Sequence, residues 1–185
     1  VEGTKPYPGL QKLKISDAIQ KSSATHIGAY QFDKKKGLPK WVPAIGLNLT
    51  DDIFNQDNQD SLAIYLIEDS GGSSWKNGPT TTETFMLNLA KVWAGLPVPF
   101  DTIRPFGVDA IKIKKGESYY TGVKTNRSTV TLYEFYTALS PINPDKVSKI
   151  DEVEIKLAPS PSPPVSVTII ESEYLQYIQT DIDDK

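Results

Sequence analysis

Side chains able to do covalent or acid–base chemistry are few in this chain, and their types set limits at once. There is no Cys and a single His, His26. Thiol nucleophiles, disulfide frameworks, Cys/His zinc sites and most His-based triads are therefore excluded. A lone imidazole acting as general base needs an orienting carboxylate and a reacting partner. His26 instead shares one face of a strand-like run with Tyr30 and Phe32, which suits a packed or surface residue. No G-x-S-x-G, P-loop or G-x-G-x-x-G pattern occurs. Ser70-Gly71-Gly72-Ser73-Ser74 resembles a phosphate cradle but lacks the Lys-Ser/Thr that completes one, so it reads as a surface loop.

Oxygen ligands are better supplied. Asp51, Asp52, Asp57 and Asp60 stand in one polar loop with Asn55 and Asn58 between them. Hard cations such as Ca²⁺ take six to eight oxygens, roughly what such a loop offers. The spacing is not that of an EF-hand, and a solvated acidic loop is the competing reading. Ca²⁺ is the one cofactor the residues suggest. Paired carboxylates also hydrolyse glycosides, and Asp69, Glu83, Glu117, Glu134, Glu152 and Glu154 are available, though nothing in the pattern selects two. Glu134 is the most unusual, because it interrupts an apolar run and would be a buried acid of raised pKa if that run were a strand. Trp41 and Trp75 fall in expected loops, where an indole either stacks on a sugar ring or plugs the end of a sandwich. Two N-x-[ST] sequons, at Asn48 and Asn126, mark candidate glycosylation sites.

The elements expected to carry these residues are mainly β. Residues 25–32 and 44–50 alternate apolar and polar, as half-buried strands do. Residues 61–68, SLAIYLIE, are apolar on both faces and read as a central strand. A helix is expected at about 81–94, with Thr80 and Glu83 at capping-box spacing and Gly95 at its end. Residues 108–114 and 118–123 flank Lys115-Gly116-Glu117 as a hairpin, and the β-branched and aromatic run 129–138 reads as a further strand. The fold class that follows is an antiparallel β-sandwich or jelly-roll-like domain with one helix, with α+β the runner-up. Four regions are implied: an extended arm at 1–9, the sandwich at 10–158, a Pro-rich spacer at 159–164, and a C-terminal strand with an acidic tail at 165–185.

Composition narrows the function. The chain has 185 residues, of which 20 are Lys or Arg and 23 Asp or Glu, for a net charge of −3. General nucleic-acid binding needs surplus cation and is disfavoured. No run approaches the roughly 18 apolar residues of a membrane span. Beginning on Val1, the chain reads as a processed product or a fragment. The last segment places Val165, Val167 and Ile169 against Ile170, Tyr174 and Ile178. A strand apolar on both faces needs a partner. Addition to a neighbouring subunit's sheet is one solution. The leading expectation is a non-enzymatic self-assembling protein, a filament, pilus or virion coat subunit, located outside the cell, at its surface or in a virion. A secreted carbohydrate- or Ca²⁺-binding sandwich module is the alternative, and a carboxylate-based glycoside hydrolase the second alternative.

Overall fold

Thr131 and Glu134 stand three residues apart ahead of an apolar run, and that spacing caps a helix. The Thr131 hydroxyl accepts the backbone N–H of Glu134, and the Glu134 carboxylate accepts the backbone N–H of Thr131 at 2.7 Å. Two orphan donors of a helix start are thereby satisfied reciprocally. The run expected as a strand at 129–138 is therefore a helix over Leu132–Leu139. The same correction holds through the molecule. A computed structural model of the chain describes residues 9–106, 109–123 and 126–147. Among these there are seven α-helices, about 45% helix, and two small two-stranded sheets. The β-sandwich expectation is overturned. Nothing in the structure supports a filament, a coat subunit or secretion. The chain divides into two compact units, residues 1–69 and 70–185.

The first unit holds α1 (Ile15–Lys21), β1 (His26–Ile27), β2 (Phe32–Asp33), α2 (Leu38–Ala44) and α3 (Gln56–Asp69). Residues 61–68, expected as a central strand, lie within α3. Leu62, Ala63 and Leu66 are buried, the i, i+1, i+4 spacing of a helix face. The apparent two-faced strand was a helix with apolar residues on several sides. Only six of its 14 residues are good helix formers, so burial of this face rather than propensity outweighs the β-branched Ile64 and Ile67. Residues 44–50 are not a strand either. Ala44 ends α2, and Gly46, at φ 77°, opens the turn that follows. Ile15, Ala18, Phe32, Leu38, Val42, Phe54 and Leu62 form the buried interior. Phe32 meets Phe54 and Trp41 edge-on at 6.3 and 6.4 Å between ring centres. The Trp41 ring lies so close over Gly37 that any Cβ there would overlap it, at 2.3 Å.

The second unit holds α4 (Gly72–Asn77), α5 (Thr82–Val92), β3 (Thr102–Phe106), β4 (Asp109–Ile113), α6 (Leu132–Leu139) and α7 (Pro144–Val147). The expected helix at 81–94 runs from Thr82 to Val92, capped by the Thr81 hydroxyl on the Thr84 N–H rather than by Thr80. The partner of β4 is β3, in antiparallel register with Thr102 opposite Ile113. It is not the 118–123 segment, where Ser118 forms only an isolated bridge with Pro97. Ala90, Val98 and Ile113 make one buried cluster, with Leu87, Leu96, Ile111 and Tyr119 packed on it. Trp75 stacks on Phe85 at 4.8 Å and 14°. The Trp75 indole N–H donates to the Thr82 hydroxyl, which donates in turn to the Lys146 carbonyl. The Lys146 ammonium donates to the carbonyls of Trp75, Gly78 and Thr80, tying α7 to the end of α4. No helix among the described residues is long and apolar enough to cross a membrane.

Candidate functional site

The most unusual backbone in the first unit lies between β1 and β2. His26 pairs with Asp33 and Ile27 with Phe32, leaving residues 28–31 as the connecting turn. Gly28 has φ 80° and Gln31 φ 55°. For glycine the left-handed region is free of strain; for glutamine it costs roughly 1–2 kcal/mol. Gln31 is the only non-glycine residue with positive φ among those described. It is exposed, and its amide makes only a long 3.4 Å contact to the Gly28 carbonyl. Its backbone N–H closes the turn by donating to the Gly28 carbonyl at 3.3 Å. Outliers of this kind collect at ligand clamps and active sites.

Two consecutive side chains from the start of α3 hold this turn. Asn55 caps the helix start by accepting the Asn58 N–H at 3.0 Å, which fixes the first turn. Gln59, 4% exposed, accepts the Ala29 N–H on Oε1 at 2.8 Å and donates from Nε2 to the Phe54 carbonyl at 2.9 Å. Asp60, 8% exposed, accepts the Tyr30 hydroxyl at 2.7 Å and the Gln56 amide, both on Oδ1. The turn approaches α3 so closely that a Cβ on Gly28 would stand 2.4 Å from Gln59 Oε1 and 2.8 Å from the Phe54 ring. A carboxylate that deep usually has a cation beside it. Among the described residues, both bonds to Asp60 come from neutral donors and fall on Oδ1, while Oδ2 stays open to solvent.

At the base of the turn, His26 is exposed and its Nδ1 shares a 3.1 Å hydrogen bond with the Thr25 hydroxyl. Opposite it, Asp33 accepts the backbone N–H groups of Lys35 and Lys36. Burial pushes the Asp33 carboxyl up, but these donors and the nearby His26 outweigh it and hold the group below its ordinary value. The surface formed by Gly28, Ala29, Tyr30, Gln31, Gln56, Gln59 and Asp60 thus carries amides, a phenol and one carboxylate, and no cation. Such a set hydrogen-bonds neutral hydroxyl-bearing ligands and repels phosphates and other anions.

The residues expected from sequence fall in several places. Trp75 is 2% exposed and built into the stack with Phe85, so its ring face is not offered to a sugar. Trp41 is partly exposed, on α2, with its ring over Gly37. Asp51 is exposed, Asp52 accepts the Asn48 N–H at 2.7 Å, Asp57 lies in the first turn of α3, and Asp60 is in the clamp. Among the described residues no three His, Cys, Asp or Glu side chains stand together as metal ligands. Asn48 is exposed, its Oδ1 accepting from the Thr50 N–H and hydroxyl, and Asn126 is exposed. Glu134 is exposed rather than buried. The Thr131 backbone N–H and hydroxyl hold its carboxyl below the ordinary value, the opposite of a raised-pKa acid. Val165, Val167, Ile169, Ile170, Tyr174 and Ile178, with the 1–8 arm and the 159–164 spacer, lie outside the described residues.

Sequence reasoning overlooked Gln31, Gln59 and Tyr30. Gln59 and Asp60 are adjacent in the sequence, but their targets lie 30 residues away, a separation no local pattern reports. Searches of protein families, curated proteins and solved structures find no match to this chain.

Proposed function

We propose that the chain binds a neutral glycan at the 28–31 turn and acts as a carbohydrate-binding module. The observation that carries this reading is the exposed, strained Gln31 in a turn held from below by Gln59 and Asp60. Strain kept in place by buried hydrogen bonds favours a preorganised ligand surface over a passive loop. The ligand class follows from the donor set. Amide, phenol and carboxylate groups without a cation complement hydroxyl and acetamido groups.

The test uses the full chain with Gln31→Ala beside it. Chitin, cellulose and xylan are each assayed for co-sedimentation. Binding to one of them, reduced by Gln31→Ala, supports the reading. A folded wild-type chain that sediments with none of them rejects it.

A further inference from the structure

We infer that residues 165–170 dock as a third strand along the open edge of β4, parallel to it and within the same molecule. β3 and β4 form a two-stranded sheet, and among the described residues no further strand pairs with either. The two edges are not equal. β3 carries Pro105, which has no N–H to give to a ladder. β4 reads Asp-Ala-Ile-Lys-Ile, with a donor at every residue. Water serves such groups well, so the edge alone demands nothing. What suits a strand to it is the side-chain pattern on both sides. Ile113 is buried and Ile111 partly buried in the cluster with Ala90 and Val98, while Ala110 and Lys112 are exposed. Val165, Val167 and Ile169 alternate with Ser166 and Thr168 in the same period of two, and five of the six residues 165–170 are β-branched. With Val165 beside Asp109, the apolar side chains continue the face of Ile111 and Ile113, and the hydroxyls continue that of Ala110 and Lys112.

Charge sets the direction. Glu171 and Glu173 follow the run directly, and Asp181, Asp183 and Asp184 follow further on, against the single cation Lys185. β4 leads into Lys114 and Lys115, both exposed, whereas its first residue is Asp109. A parallel strand carries the two glutamates toward the lysines. An antiparallel one carries them past Asp109, like charge toward like. The long crossover that a parallel pair requires is present, because α6 and α7 lie between β4 and Val165. Chain length also permits it. Residues 148–164 reach at most roughly 55–60 Å when extended, whereas a 100-residue domain has a radius of gyration of about 13 Å. Starting from the end of α7 at Val147, the strand can therefore reach β4 of its own molecule. The tether holds it there at high effective concentration, which favours it over the strand of a second copy. The four prolines in 159–164 are poor ladder residues, so pairing starts after them.

Because the chain has no Cys, engineered pairs report the pairing without background. Two full-length variants are compared. Ala110→Cys with Ser166→Cys places thiols side by side in the parallel register; Ala110→Cys with Thr168→Cys does so only in the antiparallel one. Neighbours across a ladder stand about 5 Å apart and diagonal ones about 7–8 Å, a separation that resists bridging. Each variant is oxidised with diamide, and disulfides are read on non-reducing gels and by mass spectrometry, with a urea-unfolded control. The Ser166 pair is expected to close about tenfold faster than the Thr168 pair, and to do so within monomers. Faster closure of the Thr168 pair overturns the parallel docking. Disulfides formed only between chains assign the strand to a second copy and overturn the intramolecular one. Closure no faster than in the unfolded control overturns both. Should the variants not fold, amide exchange of wild type decides. Protection of residues 166–170 by about tenfold or more over unstructured rates supports the docking, and exchange at unstructured rates overturns it.

Discussion

Replacing Gln31 by glycine should stabilise the protein and impair its function, a pairing that a passive surface turn would not produce. At φ 55° a glutamine side chain is strained by roughly 1–2 kcal/mol relative to glycine. Glycine removes that strain but loses more entropy on folding, by roughly 0.5–1 kcal/mol. The single native contact forfeited is the 3.4 Å approach of the amide to the Gly28 carbonyl, too long and exposed to count for much. The net expectation is a gain of about 0.5–1 kcal/mol. Urea unfolding followed by far-UV circular dichroism measures it as a higher midpoint at unchanged slope. Co-sedimentation with glycan, measured on the same sample, should fall at least several-fold because the exposed amide is gone. A contrasting variant sits three residues earlier. Gly28→Ala places a methyl group 2.4 Å from Gln59 Oε1 and 2.8 Å from the Phe54 ring, in a backbone region alanine avoids. Overlap and strain together should cost about 3 kcal/mol or more. A Gln31→Gly protein that is less stable than wild type refutes the strain argument. One that is more stable yet binds glycan unchanged refutes the functional reading of that strain.

Other expectations concern the supporting structure and its pH dependence. Thr131→Ala removes the N-cap of α6 and should cost about 1 kcal/mol, seen as a lower urea midpoint. Thr82→Val preserves shape but leaves the buried Trp75 indole N–H without its acceptor; a loss of about 1–3 kcal/mol and a shift in Trp fluorescence are expected. Asp33 has a folded-state pKa below its ordinary 3.8, so it contributes stability that is fully present above that value and lost as pH falls through the lower one. Unfolding midpoints measured from pH 6 down should therefore fall more steeply below about pH 4 in wild type than in Asp33→Asn.

What could be read from the chain depended on whether the signal was local. The helix at 82–92 was legible because Phe85, Leu89 and the nearby caps repeat within one segment. The capping box of Thr131 and Glu134 was equally local, but the run Thr-Val-Thr-Leu-Tyr that surrounds it favours strands by composition, and composition prevailed over spacing. In 61–68 two-faced apolarity fitted a central strand and a buried helix alike, and the continuation back to Gln56 decides for the helix. The candidate site was mostly illegible. Asp60 was noticed only as one of four acids in a loop. No residue type announces that Gln31 adopts a left-handed backbone. The partners of the clamp, Ala29 with Gln59 and Tyr30 with Asp60, meet only once α3 packs against the hairpin.

Co-sedimentation of the purified full chain with chitin, cellulose and xylan tests the proposed binding most directly. Retention on one of them, lost in Gln31→Ala while the fold persists, is the predicted result. A well-folded wild-type chain retained by none of the three contradicts it.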